Sequence, residues 1–178
     1  MDFSKQQIIY RPLEGMTAIY TVKDGVMSFT CVPEGTSDKV KPSKLYKEFN
    51  PSHPYPEIEP MVQIARTGNS PRRDFSSGAT MYDSSTSFSF RPCDQVCSET
   101  EETREIVTLL ENEDGLKVRH ILTQRKGYRA AELRMELENC GADTTIELAS
   151  SFAISALTPF EEENDPDSLI LHRLQSNW

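Results

Sequence analysis

The sequence predicts an antiparallel all-β domain, and three observations carry that expectation. Ala131, Leu133, Met135 and Leu137 occupy every second position, with Glu132, Arg134, Glu136 and Glu138 between them. Leu116, Val118, His120 and Leu122 alternate in the same way. Asp24-Gly25 separates two runs rich in β-branched and aromatic residues, Thr17 to Val22 and Val26 to Val32. A strand that buries one face has a period of two, whereas a helix would scatter these residues around its axis. Composition alone would make 128–139 a helix, since Ala, Glu, Leu, Arg and Met are strong helix formers. The periodicity overrides it.

In chain order, Asp24-Gly25 suits a type I′ turn, which needs positive φ at both central residues, and Pro33-Glu34-Gly35 stops the second strand. Between Thr36 and Pro60, Pro42, Pro51, Pro54, Pro56 and Pro60 remove ladder donors and restrict their predecessors, which predicts a long loop. Long ordered loops commonly carry function, and His53, Tyr55 and Glu57 are the candidate binding cluster here. A connector whose aromatic residue covers a neighbouring strand explains the same residues.

Met61 to Arg66 then predicts a short strand and Gly68-Asn69-Ser70-Pro71 a turn. Phe75 to Tyr82 and Ser85 to Arg91, the latter with alternating Phe88 and Phe90, predict two more strands. Arg104 to Leu110 leaves strand and helix both open, and the turn signal of Asn112-Glu113-Asp114-Gly115 favours the strand. Leu116 to Thr123 is a strand, and Gln124 to Gly127 a turn leading into 128–139. Ile146, Leu148, Phe152 and Ile154 share a parity, so 128–154 is expected to form one long hairpin reversing at Asn139 to Asp143. Leu169 to Leu174 is the last expected strand. Trp178 directly after it suggests a sequence cut inside a longer protein.

A length of 178 residues suits one domain with a substantial core, 1–178, and the 37% hydrophobic content argues against global disorder. The net charge of −9 and a pI near 4.9 argue against a nucleic-acid partner, whose phosphates call for a basic face. No apolar run approaches the about 20 residues of a membrane span, and Met1 to Tyr10 lacks the apolar core of a secretion signal, so a cytoplasmic location is expected.

Cys31, Cys93, Cys97 and Cys140 form neither a disulfide framework nor, without a second pair or a His cluster, a zinc site; no metal and no cofactor are expected. Paired-carboxylate catalysis needs two placed groups with split pKa values, and the consecutive acids of 161–167 fit a solvated loop instead. No Gly-x-Ser-x-Gly or phosphate-cradling glycine loop occurs, and His53, His120 and His172 lie in different predicted elements. His120 shares a face with Leu116 and Val118, which suits a satisfied core histidine; His172 suits a surface position. No catalytic residue is assigned.

Several phrases, taken in order, supply a resemblance. They are Pro54-Tyr55-Pro56-Glu57-Ile58-Glu59-Pro60 followed by Gln63, Asp74-Phe75-x-x-Gly78, Gly127-Tyr128-Arg129-Ala130-Ala131-Glu132, Asn139-Cys140-Gly141, Glu147-Leu148-Ala149-Ser150-Ser151-Phe152 and Leu171-His172-Arg173-Leu174-Gln175-Ser176-Asn177-Trp178. Over about residues 16 to 178, the chain resembles the amino-terminal domain of α-galactosidases (melibiases) of glycoside hydrolase family thirty-six. The resemblance implies an antiparallel β-supersandwich, galactose mutarotase-like, that precedes a catalytic (β/α)8 barrel. That barrel would carry both catalytic aspartates and hydrolyse terminal α-galactosides, such as the raffinose series, with retention. The domain itself would pack on the barrel of the same chain, join homo-oligomer contacts, and lend the rim of a sugar pocket a loop, with His53, Tyr55 and Glu57 as its candidates. Two rival expectations are a free-standing carbohydrate-binding module and a mutarotase-like sugar epimerase. The epimerase would gather His and Glu residues in one concave face.

Overall fold

The computed structural model describes residues 2–46, 58–66, 84–142 and 148–152. Nine strands and three short helical turns occupy them: β1 (Gln7–Leu13), β2 (Met16–Lys23), β3 (Val26–Pro33), a 3-10 turn α1 (Ser37–Lys39), α2 (Pro42–Leu45), β4 (Val62–Arg66), α3 (Ser85–Ser89), β5 (Arg91–Glu99), β6 (Thr103–Glu111), β7 (Leu116–Arg125), β8 (Ala131–Asn139) and β9 (Leu148–Phe152). All pairings are antiparallel: β1-β2-β3 form one sheet, β5-β6-β7-β8 a second, and β4-β9 a two-stranded ladder. The antiparallel all-β architecture expected from the alternation is present.

The two larger sheets meet through the faces their periodicity marks. Ala18, Tyr20, Val22, Met27 and Phe29 from one sheet share a core with Ile106, Leu110, Leu116, Val118 and Leu122 from the other. Leu133, Met135 and Leu137 of β8 pack against that core while Glu132, Arg134 and Glu138 remain exposed. β2 and β3 are covered on both faces, because Ile19 and Val32 meet Val40 and Leu45 from the segment after β3. Burying side chains of the size of Phe29 or Ile19 contributes about 1.5–3 kcal/mol each before chain entropy is subtracted. Asp24 (φ 52°) and Gly25 (φ 75°) make the tight β2–β3 reversal that their sequence signals.

Four features depart from the sequence reading. No strand is signalled before Thr17, yet β1 pairs with β2 along its whole length. Its Pro12 is tolerated because β1 is an edge strand of its sheet. Residues 85–91 are not one strand: Ser84 caps the turn α3 by accepting from Ser87 N–H (3.0 Å), and β5 begins only at Arg91. The Ser84 and Ser87 hydroxyls also serve the backbone of β4, with Ile64 N–H donating to Ser87 Oγ (2.8 Å) and Ser84 Oγ donating to Ile64 C=O. The Ser84 and Ser87 hydroxyls compete with strand pairing, and here they win.

The third departure is the long hairpin, which is not formed among the described residues. β8 pairs with β7, from Leu116↔Asn139 to Gln124↔Ala131, and β9 pairs with β4, from Val62↔Phe152 to Arg66↔Leu148. Alternation specifies which face of a strand is buried, not which strand lies beside it. The expected strands at 75–82 and 169–174 lie outside the described residues.

The fourth departure is His120. It is fully buried as expected, between Phe29 (5.1 Å between ring centroids) and Tyr20 (6.3 Å), but neither ring nitrogen has a hydrogen-bond partner among the described residues. The Tyr20 hydroxyl is likewise buried and unbonded; Thr108 neighbours it without reaching bonding geometry. Desolvation holds the His120 imidazolium pKa down at about 4, with no charged neighbour among the described residues to offset it. Because the folded chain resists a proton that the unfolded chain accepts near 6.5, the stability His120 allows is complete above that value and is lost as pH falls toward 4. Replacing His120 by Leu should therefore raise stability relative to the native chain by on the order of 3 kcal/mol more at about pH 4 than at about pH 7. Urea denaturation across that range checks it, and a difference that stays flat with pH contradicts this environment for His120.

Candidate functional site

One end of the sandwich is closed by interlocked turns and the other carries a cleft. At the closed end, the buried amide of Gln124 on β7 bonds both backbone groups of Glu14, in the β1–β2 turn. Its Oε1 accepts from Glu14 N–H (2.8 Å) and its Nε2 donates to Glu14 C=O (2.8 Å). Glu14 returns the contact, its carboxylate accepting from Gly127 N–H (2.9 Å). The Arg129 stem lies over Gly15, where a Cβ would stand 2.7 Å from it. Tyr128, 57% exposed, projects from this tip with the Arg125 guanidinium 5.5 Å from its ring centre.

At the opposite end, a cleft of about 370 Å³ opens between the β2–β3 turn and α3. Lys23, Asp24 and Arg91 supply charges, Ser85 and Ser89 hydroxyls, and Val26, Ile58 and Phe88 an apolar wall. These side chains are fixed by different parts of the fold. Arg91 Nη1 donates to the carbonyls of Phe88 in α3 (2.7 Å) and of Phe90, which caps its end (3.0 Å). Its stem crosses Gly25, whose missing Cβ makes room for it. Lys23 Nζ donates to Tyr46 C=O (2.7 Å). Ser89 Oγ donates to Thr86 C=O (2.8 Å) and accepts from Asn112 Nδ2 (3.0 Å), tying α3 to the β6–β7 turn.

His53, Tyr55 and Glu57 lie outside the described residues, so the structure neither gathers nor separates them. His120 is enclosed in the core and presents nothing to a concave surface, which gives the epimerase rival no support from this residue. Among the described residues, no three His, Cys, Asp or Glu side chains come together as a metal site. The cysteines are all free: Cys93, Cys97 and Cys140 are exposed, and burial pushes the Cys31 thiol up to about 11, which makes it inert. No helix among the described residues is long and apolar enough to cross a membrane.

The sequence reading misses every charged residue of the cleft. Asp24 is legible only as a turn residue, and Arg91, sixty-six positions beyond Gly25, comes to lie on that turn only through the packing of β5 beside β3. Gly127 and Gly141, from two of the quoted phrases, sit at turns, whereas Gly78 lies outside the described residues. Gly141 packs against the backbone of Gly115, where a Cβ on Gly115 would stand 2.7 Å from Gly141, and Gly127 takes φ 81° at the β7–β8 turn.

Gly25 tests the construction of the cleft. An alanine there is strained at φ 75° and its Cβ would meet Arg91 Cδ at 2.9 Å. Gly25→Ala is expected to lower stability by about 1–2 kcal/mol and to displace the Arg91 side chain, read by denaturation and by the Arg91 Nε resonance. An unchanged resonance contradicts the packing of Arg91 on the turn. In comparisons with known proteins, no family model matches the sequence, and no curated protein or solved structure matches it either.

Proposed function

We propose that this chain is the amino-terminal β-supersandwich, of galactose mutarotase-like type, of a cytoplasmic α-galactosidase of glycoside hydrolase family thirty-six. In this reading the domain is non-catalytic by itself. It packs on a (β/α)8 barrel of the same chain and takes part in homo-oligomer contacts, and the barrel hydrolyses terminal α-galactosides with retention. The ordered phrases from Pro54 to Trp178 are its basis. The observation that carries it is the tip built from one of those phrases, Gly127-Tyr128-Arg129. It is braced against a second turn through Glu14 and presents an exposed tyrosine with a stacked arginine. Tyr and Arg are the anchors that protein interfaces favour, and bracing lowers the entropy lost on docking.

The 178-residue chain is expected to leave a chromogenic α-galactoside unhydrolysed, at the rate of buffer alone. The reading frame beyond Trp178 is expected to encode a (β/α)8 barrel with an aspartate at the end of each of two strands. Turnover by the chain itself, or a continuation without such a barrel, contradicts the proposal.

A further inference from the structure

We propose that the cleft between the β2–β3 turn and α3 binds a neutral pyranose sugar, through Asp24 and Arg91. The volume of about 370 Å³ lies within the range of small-ligand clefts, about 300–1,000 Å³. Its chemistry narrows the ligand. Lys23 Nζ is committed to Tyr46 C=O, and Asp24 sets a carboxylate beside Arg91, so the cleft offers both signs of charge rather than the single-sign field that selects phosphates or carboxylates. A wholly apolar ligand would strip water from three charged groups without replacing their hydrogen bonds.

A sugar ring matches both walls. Its hydroxyls donate and accept, and its C–H face is apolar. The Asp24 carboxylate has no hydrogen-bond or ion-pair partner among the described residues and can accept from two hydroxyls. Arg91 has its Nη1 committed to the Phe88 and Phe90 carbonyls, which fixes the guanidinium plane while its other N–H groups can donate. Ser85 adds an exposed hydroxyl, and Val26, Ile58 and Phe88 make the apolar side of the cleft that the C–H groups would meet. The cleft is preorganised, because Arg91 and Ser89 are held by bonds that do not involve a ligand. The site is separate from the Tyr128 tip at the other end of the sandwich and goes beyond the domain proposal, which does not use it.

Amide NMR titration of the 178-residue chain tests the assignment, with melibiose, maltose and inorganic phosphate as probes. Either disaccharide is expected to shift Lys23, Asp24, Gly25, Ser85, Phe88 and Arg91 with a dissociation constant of about 0.1–10 mM. Asp24→Asn keeps a residue that tolerates the left-handed turn and is expected to weaken binding at least about tenfold. The absence of cleft shifts with both sugars at about 50 mM overturns the proposal. So do shifts with phosphate alone, or an unchanged affinity in a folded Asp24→Asn chain. Any of these failures leaves the domain proposal standing, because that rests on hydrolysis and on the continuation of the chain.

Discussion

The Gln124 amide, buried at the end of β7, bonds the N–H and C=O of Glu14 as a neighbouring strand would, but across the gap between two sheets. A side chain that imitates a ladder partner in this way fixes how far one sheet can slide along the other. Apolar contact is non-directional and leaves that offset open. With the offset fixed at one end, Phe29 and Tyr20 meet His120 in the middle, and the β2–β3 turn and Arg91 come together at the other end. The cleft is thus a consequence of the inter-sheet register. The Glu14 carboxylate on Gly127 and the Arg129 stem over Gly15 reinforce the same joint from the opposite side.

His120 stands against this order. Two unbonded nitrogens and the unbonded Tyr20 hydroxyl sit where an apolar residue would be more stable. The ring fills its space and meets Phe29 and Tyr20 edge to face, an arrangement that recovers part of the loss. The histidine is compatible with the fold at neutral pH because it remains uncharged.

Much of the scaffold was legible in the sequence. Leu116, Val118, His120 and Leu122 alternate in the chain and share the buried face of β7, and Asp24-Gly25 turns where its residues require. What was not legible had physical causes. Pro12 masks an edge strand, the Ser84 and Ser87 hydroxyls convert an apparent strand into a capped turn, and alternation is silent about which strand partners β8 or β9. The cleft was invisible for a related reason. Lys23, Asp24, Ser85 and Arg91 belong to separate segments, and each is unremarkable where it stands in the chain. Gln124 has only the signal of a turn residue in the sequence, since nothing in its neighbours points to a partner at Glu14.

Hydrogen exchange of the native chain and of Gln124→Ala measures the inter-sheet register most directly. The native Glu14 and Gly127 amides should be protected although both lie in turns. The variant should lose that protection and about 1–3 kcal/mol of stability. It should also shift the Gly25 and Arg91 resonances at the far end of the sandwich. Retained protection at Glu14, or a far end that does not respond, would contradict the dependence of the cleft on this one joint.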